Sequence, residues 1–89
     1  MIVMSLEDRA GRIRHDSATP VTVQVAADIE ADIDAGRLAS DTRLPSEAEL
    51  AAQYGVARVT VRRAIAQLRD RGKVVTVHGR GTYVVPDPS

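Results

Sequence analysis

Residues 44–63 read Leu44-Pro45-Ser46-Glu47-Ala48-Glu49-Leu50-Ala51-Ala52-Gln53-Tyr54-Gly55-Val56-Ala57-Arg58-Val59-Thr60-Val61-Arg62-Arg63, two helix starts with a glycine between them. Ser46 stands where an N-cap belongs and Glu49 follows three residues on. The serine oxygen and the glutamate carboxylate can then satisfy two backbone N–H groups that a first helical turn leaves without partners. Leu50, Ala51 and Tyr54 supply one apolar side, and Gly55 ends the helix within about two and a half turns, where glycine takes a left-handed conformation without strain. A second helix begins near Ala57. Its Val61, Ala64, Ile65 and Leu68 repeat at i, i+3, i+4 and i+7 before Gly72 closes it, over about 57–71. A short helix, a glycine turn and a longer helix make a helix-turn-helix.

Upstream, Val21, Val25, Ile29 and Ile33 recur every four residues after Pro20, and Gly36 follows, which predicts an amphipathic helix over about 21–35. Asp28, Glu30, Asp32 and Asp34 flank its apolar stripe. The pairs 28/32 and 30/34 set like charges four residues apart, mildly unfavourable in an isolated helix, and the expected arrangement is a solvated acidic face. Residues 1–18 mix Glu7, Asp8, Arg9, Arg12, Arg14, His15 and Asp16 with few large apolar groups and no sustained period. They read as a flexible N-terminal arm, with a short helix after Ser5 as its one candidate element. Downstream of Gly72 the period falls to two. Val75 and Val77 alternate with Thr76 and His78, a His78-Gly79-Arg80-Gly81 tip follows, and Thr82-Tyr83-Val84-Val85 returns before Pro86 stops the strand. A β-hairpin directly after a helix-turn-helix is a wing. The expected fold is therefore mainly α with a small β-hairpin wing (α+β), a three-helix winged helix-turn-helix over 19–86, with 87–89 as a tail.

The chain has 89 residues, enough for one small domain, and 12 Lys+Arg balance 12 Asp+Glu. Residues 1–49 carry five Arg against ten acids, and residues 50–89 carry six Arg and one Lys against two acids, so the halves stand at −5 and +5. A split of this size points to one surface facing a polyanion and another facing solvent. With no Cys, disulfides, Cys-ligated zinc and thiol nucleophiles are excluded. No long apolar run suggests a membrane span and no signal peptide opens the sequence, so a cytoplasmic protein is expected. Phe and Trp are absent, so the core must come from Val, Ile, Leu and Ala with Tyr54.

The chemistry concentrates on the second helix of the helix-turn-helix. Arg58 and Arg62 lie on one edge of its exposed face, Val59 and Arg63 near the middle, and Thr60 on the other edge. Such a helix fits the DNA major groove, where an arginine forks onto guanine O6 and N7 for about 1–3 kcal/mol of discrimination. Arg80, set between two glycines at the hairpin tip, suits a narrow minor groove; the other reading of the tip is an ordinary hairpin turn. Gly79-Arg80-Gly81-Thr82 lacks the spacing and lysine of a phosphate-cradling nucleotide loop. His78 has no second ligand at metal spacing and reads as a phosphate donor, while His15 receives no role. No motif fixes a nucleophile, and so small a domain leaves little room for a water-excluding pocket, so no enzyme, metal or cofactor is expected.

With these residues placed, the run from Gly36 to Val84 strongly resembles the winged helix-turn-helix domain of the GntR family of bacterial transcription regulators. The resemblance covers about Pro20 to Val85 and is most specific at Leu44-Pro45-Ser46-Glu47, at Gly55-Val56-x-Arg58-x-Thr60-Val61-Arg62 and at Gly79-x-Gly81-Thr82-Tyr83-Val84. It implies a dimeric regulator whose third helix reads the major groove and whose wing tip enters the adjacent minor groove. It places Arg58, Thr60 and Arg62 at base and phosphate contacts, Ser46 at a phosphate contact, and His78, Gly79 and Arg80 at the wing contact. Two residues depart from the family pattern. Ala57 stands where Ser or Thr is usual and cannot cap the recognition helix, a loss of about 0.5–2 kcal/mol. Val59 stands where a polar contact is common and suits a thymine methyl.

Family members normally continue after the wing into an effector-binding and oligomerisation domain, whereas this sequence stops at Ser89. It reads either as the DNA-binding part of a longer regulator or as a minimal one, and no effector is assignable. Three base-reading side chains supply roughly 3–9 kcal/mol of discrimination, whereas selection against 10⁶ or more genomic sites takes on the order of 8 kcal/mol. One copy is marginal and two suffice, so the expected partner is a palindromic double-stranded operator bound by a homodimer, with repression the expected outcome. The competing class is a winged-helix protein-interaction module that does not read DNA.

Overall fold

Three helices and a hairpin follow one another in the expected order in the computed structural model, which describes residues 8–86. A short 3-10 turn, Ala10–Arg12, precedes α1 (Val21–Asp34), α2 (Glu47–Tyr54) and α3 (Arg58–Asp70), and β1 (Val74–Val77) pairs antiparallel with β2 (Gly81–Val84). The fold is a winged helix-turn-helix. At the start of α2 the Glu49 N–H donates to Ser46 Oγ at 3.1 Å and the Ser46 N–H donates to Glu49 Oε1 at 2.9 Å, the reciprocal cap read from the sequence. Gly55 closes α2 at φ +66°, in the left-handed region where a Cβ is costly, and the chain turns directly into α3.

The predicted apolar stripes meet in one core. Val25 and Ile29 of α1, Leu50 and Tyr54 of α2, and Val61, Ala64 and Leu68 of α3 are fully buried, with Val21 and Ile33 packed at the margin. Each fully buried Val, Leu or Ile is worth about 1.5–3 kcal/mol. The wing joins this core in a different register from the one read at Val75 and Val77. Val74 and Val84, directly paired across the hairpin, are the buried residues, while Val75 and Val77 point outward, 41% and 38% exposed. Side chains alternate strictly along a strand, so with Val74 facing in, Val75 and Val77 face out. Residues 41–44 also pair with β2, a strand-like contact with no sequence signature. The Leu44 N–H donates to the Thr82 carbonyl at 2.8 Å and the Val84 N–H to the Thr42 carbonyl at 2.8 Å.

The flexible arm expected over 1–18 is corrected within residues 8–18; residues 1–7, with the helix expected after Ser5, and the tail 87–89 lie outside the described residues. Ile13 is in the core, and Arg9 is only 4% exposed. Arg9 Nη1 lies 2.7 Å from Asp28 Oδ2 and 2.7 Å from Asp32 Oδ2, and its N–H donates to the Gln53 carbonyl at 2.6 Å. Its guanidinium carbon sits 5.9 Å from the Tyr54 ring centre, while the Tyr54 hydroxyl donates to Asp28 Oδ2 at 2.7 Å. The physical reason is that a buried tyrosine needs a partner for its O–H and two aspartates four apart need a cation between them.

The solvated acidic face expected on α1 is corrected by the same contacts. Asp32 is buried and also takes Arg37 Nε at 2.8 Å; Glu30 pairs with Arg71; Lys73 Nζ lies 2.9 Å from Asp34 and 3.7 Å from Glu30. Each like-charge pair is thus bridged by a shared cation, Arg9 across 28/32 and Lys73 across 30/34.

Burial works against the charge on Asp28, but the Tyr54 and Arg9 hydrogen bonds and the nearby Arg12 charge outweigh it and hold its carboxyl below the ordinary value of 3.8. A group with a lowered folded pKa contributes stability above its unfolded value and loses it as pH falls through the folded one. In denaturant titrations, Asp28→Asn is therefore expected to be less stable than the parent at pH 7, with the gap closing as pH drops below the ordinary carboxylate range. Arg9→Ala, which removes the buried cation shared by two carboxylates, is expected to cost about 3 kcal/mol at pH 7.

Candidate nucleic-acid interface

Side-chain partners, carboxylate or hydroxyl, sort the twelve basic side chains of the sequence into two sets. Arg9, Arg12, Arg14, Arg37, Arg62, Arg71 and Lys73 each face a carboxylate, and Arg69 Nη1 donates to Thr76 Oγ1 at 2.8 Å. Among the described residues, Arg43, Arg58, Arg63 and Arg80 have no carboxylate or hydrogen-bond partner for their side chains. All four are exposed, and they stand on α3, at the wing tip and just before α2. The arginines without a side-chain partner are therefore gathered around the helix-turn-helix and wing.

Ser46, Arg58, His78, Gly79, Arg80 and Thr82 line one groove of about 520 Å³ between the helix-turn-helix and the wing, with Arg43 and Glu47 completing its rim. Six of the ten residues singled out from sequence are thus brought together. Val59, Thr60, Arg62 and Arg63 lie off this groove on α3, with Val59 43% exposed and Thr60 half-buried. Ser46 Oγ accepts from the Glu49 N–H, which leaves its own O–H available to donate outward. At the tip, the Arg80 N–H closes on the Val77 carbonyl at 2.9 Å and Gly79 adopts φ +77°, so the tip is a tight turn with Arg80 and His78 exposed on it.

Arg62 is the residue whose surroundings differ most from expectation. Its Nη2 and Nε lie 3.0 and 3.2 Å from the two Glu47 oxygens, a two-pronged ion pair that joins the first turns of α2 and α3 and raises the Arg62 pKa through hydrogen bonding and charge. Arg62 is nonetheless 60% exposed, so it still presents N–H groups to solvent. Glu47 and Arg43 are the two site residues that the sequence reading missed. Both flank Leu44-Pro45-Ser46, and proximity in sequence to the N-cap serine is the signal that points to them.

The family described as "Bacterial regulatory proteins, gntR family" matches residues 21–84. The chain belongs to this family. This GntR-family domain is 39% identical over 72 residues to the HTH-type transcriptional repressor NagR of Bacillus subtilis (strain 168), covering 81% of this chain and 30% of NagR. Over 65 residues it is 42% identical to the histidine utilization repressor of Klebsiella aerogenes, covering 73% and 27% of the two chains. The chain thus spans less than a third of the length of these relatives. The crystal structure of AraR(DBD) in complex with operator ORX1 superposes with a TM-score of 0.76 at 34% identity, over 82% of this chain and 92% of that one. The AraR(DBD) complex with operator ORE1 gives 0.74 at 36% identity, over 82% and 89%.

Ala57 occupies the N-cap of α3 in the extended conformation of a capping residue, φ −69° and ψ 152°, and makes no side-chain cap. Ala57→Ser is therefore expected to stabilise the GntR-family domain by about 1 kcal/mol, as a hydroxyl there reaches an N–H of the first turn. In a domain this small that raises the melting temperature by about 4–8 °C, measurable by scanning calorimetry.

Proposed function

We propose that this domain binds double-stranded DNA sequence-specifically as the reading head of a bacterial transcription repressor in the cytoplasm. The recognition helix, about 57–71, lies in the major groove and the wing tip, 78–82, in the adjacent minor groove. The observation that carries this reading is the grouping of the arginines that have no side-chain partner among the described residues: three of these four, Arg43, Arg58 and Arg80, line the groove between helix-turn-helix and wing. A cation that has no protein partner keeps its full attraction for phosphate, whereas one already paired must first exchange that partner. The likeness to AraR(DBD) in complex with operators supports the same reading.

Within it, Arg58 reads a base edge at the first turn of α3, Val59 packs on a thymine methyl, and Thr60 and Arg63 complete the helix contact. Ser46, His78, Gly79 and Thr82 donate to phosphate or allow close backbone approach. No effector, metal or cofactor is assigned. Three base-reading side chains yield roughly 3–9 kcal/mol of discrimination, near the 8 kcal/mol or so that genomic competition demands. Two copies on a palindromic operator clear that threshold with a margin.

The test is a fluorescence titration on fragments selected from the source genome. Binding is expected to saturate at two copies per palindrome, with log K falling by about 0.9 per neutralised phosphate against log salt. Arg58→Ala is expected to lose discrimination, and Arg80→Ala to lose affinity. A salt-independent affinity below about 0.2 M would return the domain to the class of protein-interaction modules.

Arg62 and Glu47 supply a separate check. Arg62→Ala removes a cation and also leaves the Glu47 carboxylate uncompensated beside the DNA. Its affinity loss is therefore expected to exceed that of Arg62→Ala/Glu47→Gln, by about two- to tenfold at 0.1 M salt, the scale of one partly screened charge.

A further inference from the structure

We propose that Arg43 is a phosphate-binding residue of the wing, a second cation seated beside Arg80; this rests on the DNA-binding reading above. Arg43 precedes α2 in sequence but is built into the hairpin in space. It bridges antiparallel to Tyr83, and its neighbours fix it there, through Leu44 N–H to the Thr82 carbonyl and Val84 N–H to the Thr42 carbonyl, both at 2.8 Å. Directly paired residues share a face of a sheet, so Arg43 stands on the face of β2 that carries Tyr83 and, two residues back, Gly81. Its guanidinium extends along that face to the tip. A Cβ built on Gly81 would lie 2.9 Å from Arg43 Nε and 3.6 Å from both Cζ and Nη2.

Gly81 is therefore bare where the guanidinium rests, and its φ of +125° is one that glycine alone adopts readily. Arg80 is the residue next to that seat. Among the described residues neither arginine has a carboxylate partner, and both line the same groove. The division of labour follows from position. Arg80 stands at the apex, while Arg43 lies along the flank. A tip that enters a minor groove about 6 Å wide brings its flank against the phosphates that border the groove, not against base edges. Phosphate contacts carry no sequence information.

The experiment titrates a mixed-sequence 30-base-pair duplex with the full chain and with Arg43→Ala, Arg43→Lys and Arg80→Ala, at 50 to 200 mM salt. Arg43→Ala is expected to bind about tenfold more weakly at 50 mM and to flatten the log–log salt slope by about 0.9, so that the deficit shrinks about 3.5-fold by 200 mM. Arg43→Lys is expected to recover the slope, which a merely structural wing support would not require. The melting temperatures of all variants, measured alongside, are expected to stay close to the parent's because Arg43 is exposed. A parent-like slope for Arg43→Ala, in a protein that does bind the duplex in a salt-dependent way, overturns the Arg43 assignment alone. A parent protein whose binding ignores salt overturns the DNA-binding reading itself.

Discussion

A guanidinium removed from water sits where the N-terminal segment, α1 and α2 meet, between Asp28, Asp32 and the face of Tyr54. Burial alone disfavours the Arg9 charge, yet the hydrogen bonds to Tyr54, Asp32 and Asp28 outweigh it, raise its pKa and keep it protonated. Burial and the hydrogen bond to Asp28 likewise push the Tyr54 hydroxyl up, so it remains a donor. A buried ionic cluster of this kind adds little stability over a well-packed apolar one, but it tolerates no missing member. Its consequence is geometric. Arg9 also donates through its backbone to the last turn of α2, and a Cβ on Gly55 would lie 3.1 Å from the Ala10 Cβ. The angle at which α2 hands over to α3 is thus set from behind by the residues that precede α1.

The same rule, that a carboxylate takes the nearest cation, decides which charges remain for a ligand. In sequence the acids and bases divide at residue 49, which suggests an acidic end and a basic end. In space the acids of α1 draw cations from both sides, Arg9 and Arg12 from before it and Arg37, Arg71 and Lys73 from after it. The polarity of the molecule is between compensated and uncompensated charge rather than between two halves of the chain. A protein neutral in total has a weak long-range pull on any polyanion, and its attraction is confined to contacts made within about a Debye length of the open arginines. Discrimination then depends on a close fit more than on bulk charge.

The helices were legible in the sequence because their burial follows a local period. Val61, Ala64, Ile65 and Leu68 face the core for the same reason that they recur every three or four residues. The capping box was legible because both partners lie within one turn. What escaped was non-local. Arg9 meets partners 19 and 45 residues away, Arg62 meets Glu47 at a separation of 15, and residues 41–44 pair with β2 through backbone groups common to every residue. The inward face of the wing was misjudged because Val74 and Val75 are alike, and the one polar residue of the stretch, Thr76, lies on the same face as the buried Val74. One physical clue was present. Aspartates at 28 and 32 repel on an isolated helix, and a helix built that way requires a cation from elsewhere.

Arg62 and Glu47 show why a residue can match a family motif and still differ in its energetics from an unpaired neighbour. Arg58 and Arg62 sit one turn apart on the same edge of α3, yet among the described residues Arg58 has no side-chain partner and Arg62 is held by two oxygens. For Arg58, a new contact replaces water. For Arg62, a new contact either replaces Glu47, stranding a carboxylate, or is added to it, using the remaining N–H groups of a fork already fixed in orientation. The second course keeps both charges satisfied and costs less. It also means that Glu47 orients the Arg62 fork, so the reading surface proposed here extends from α3 onto the first turn of α2.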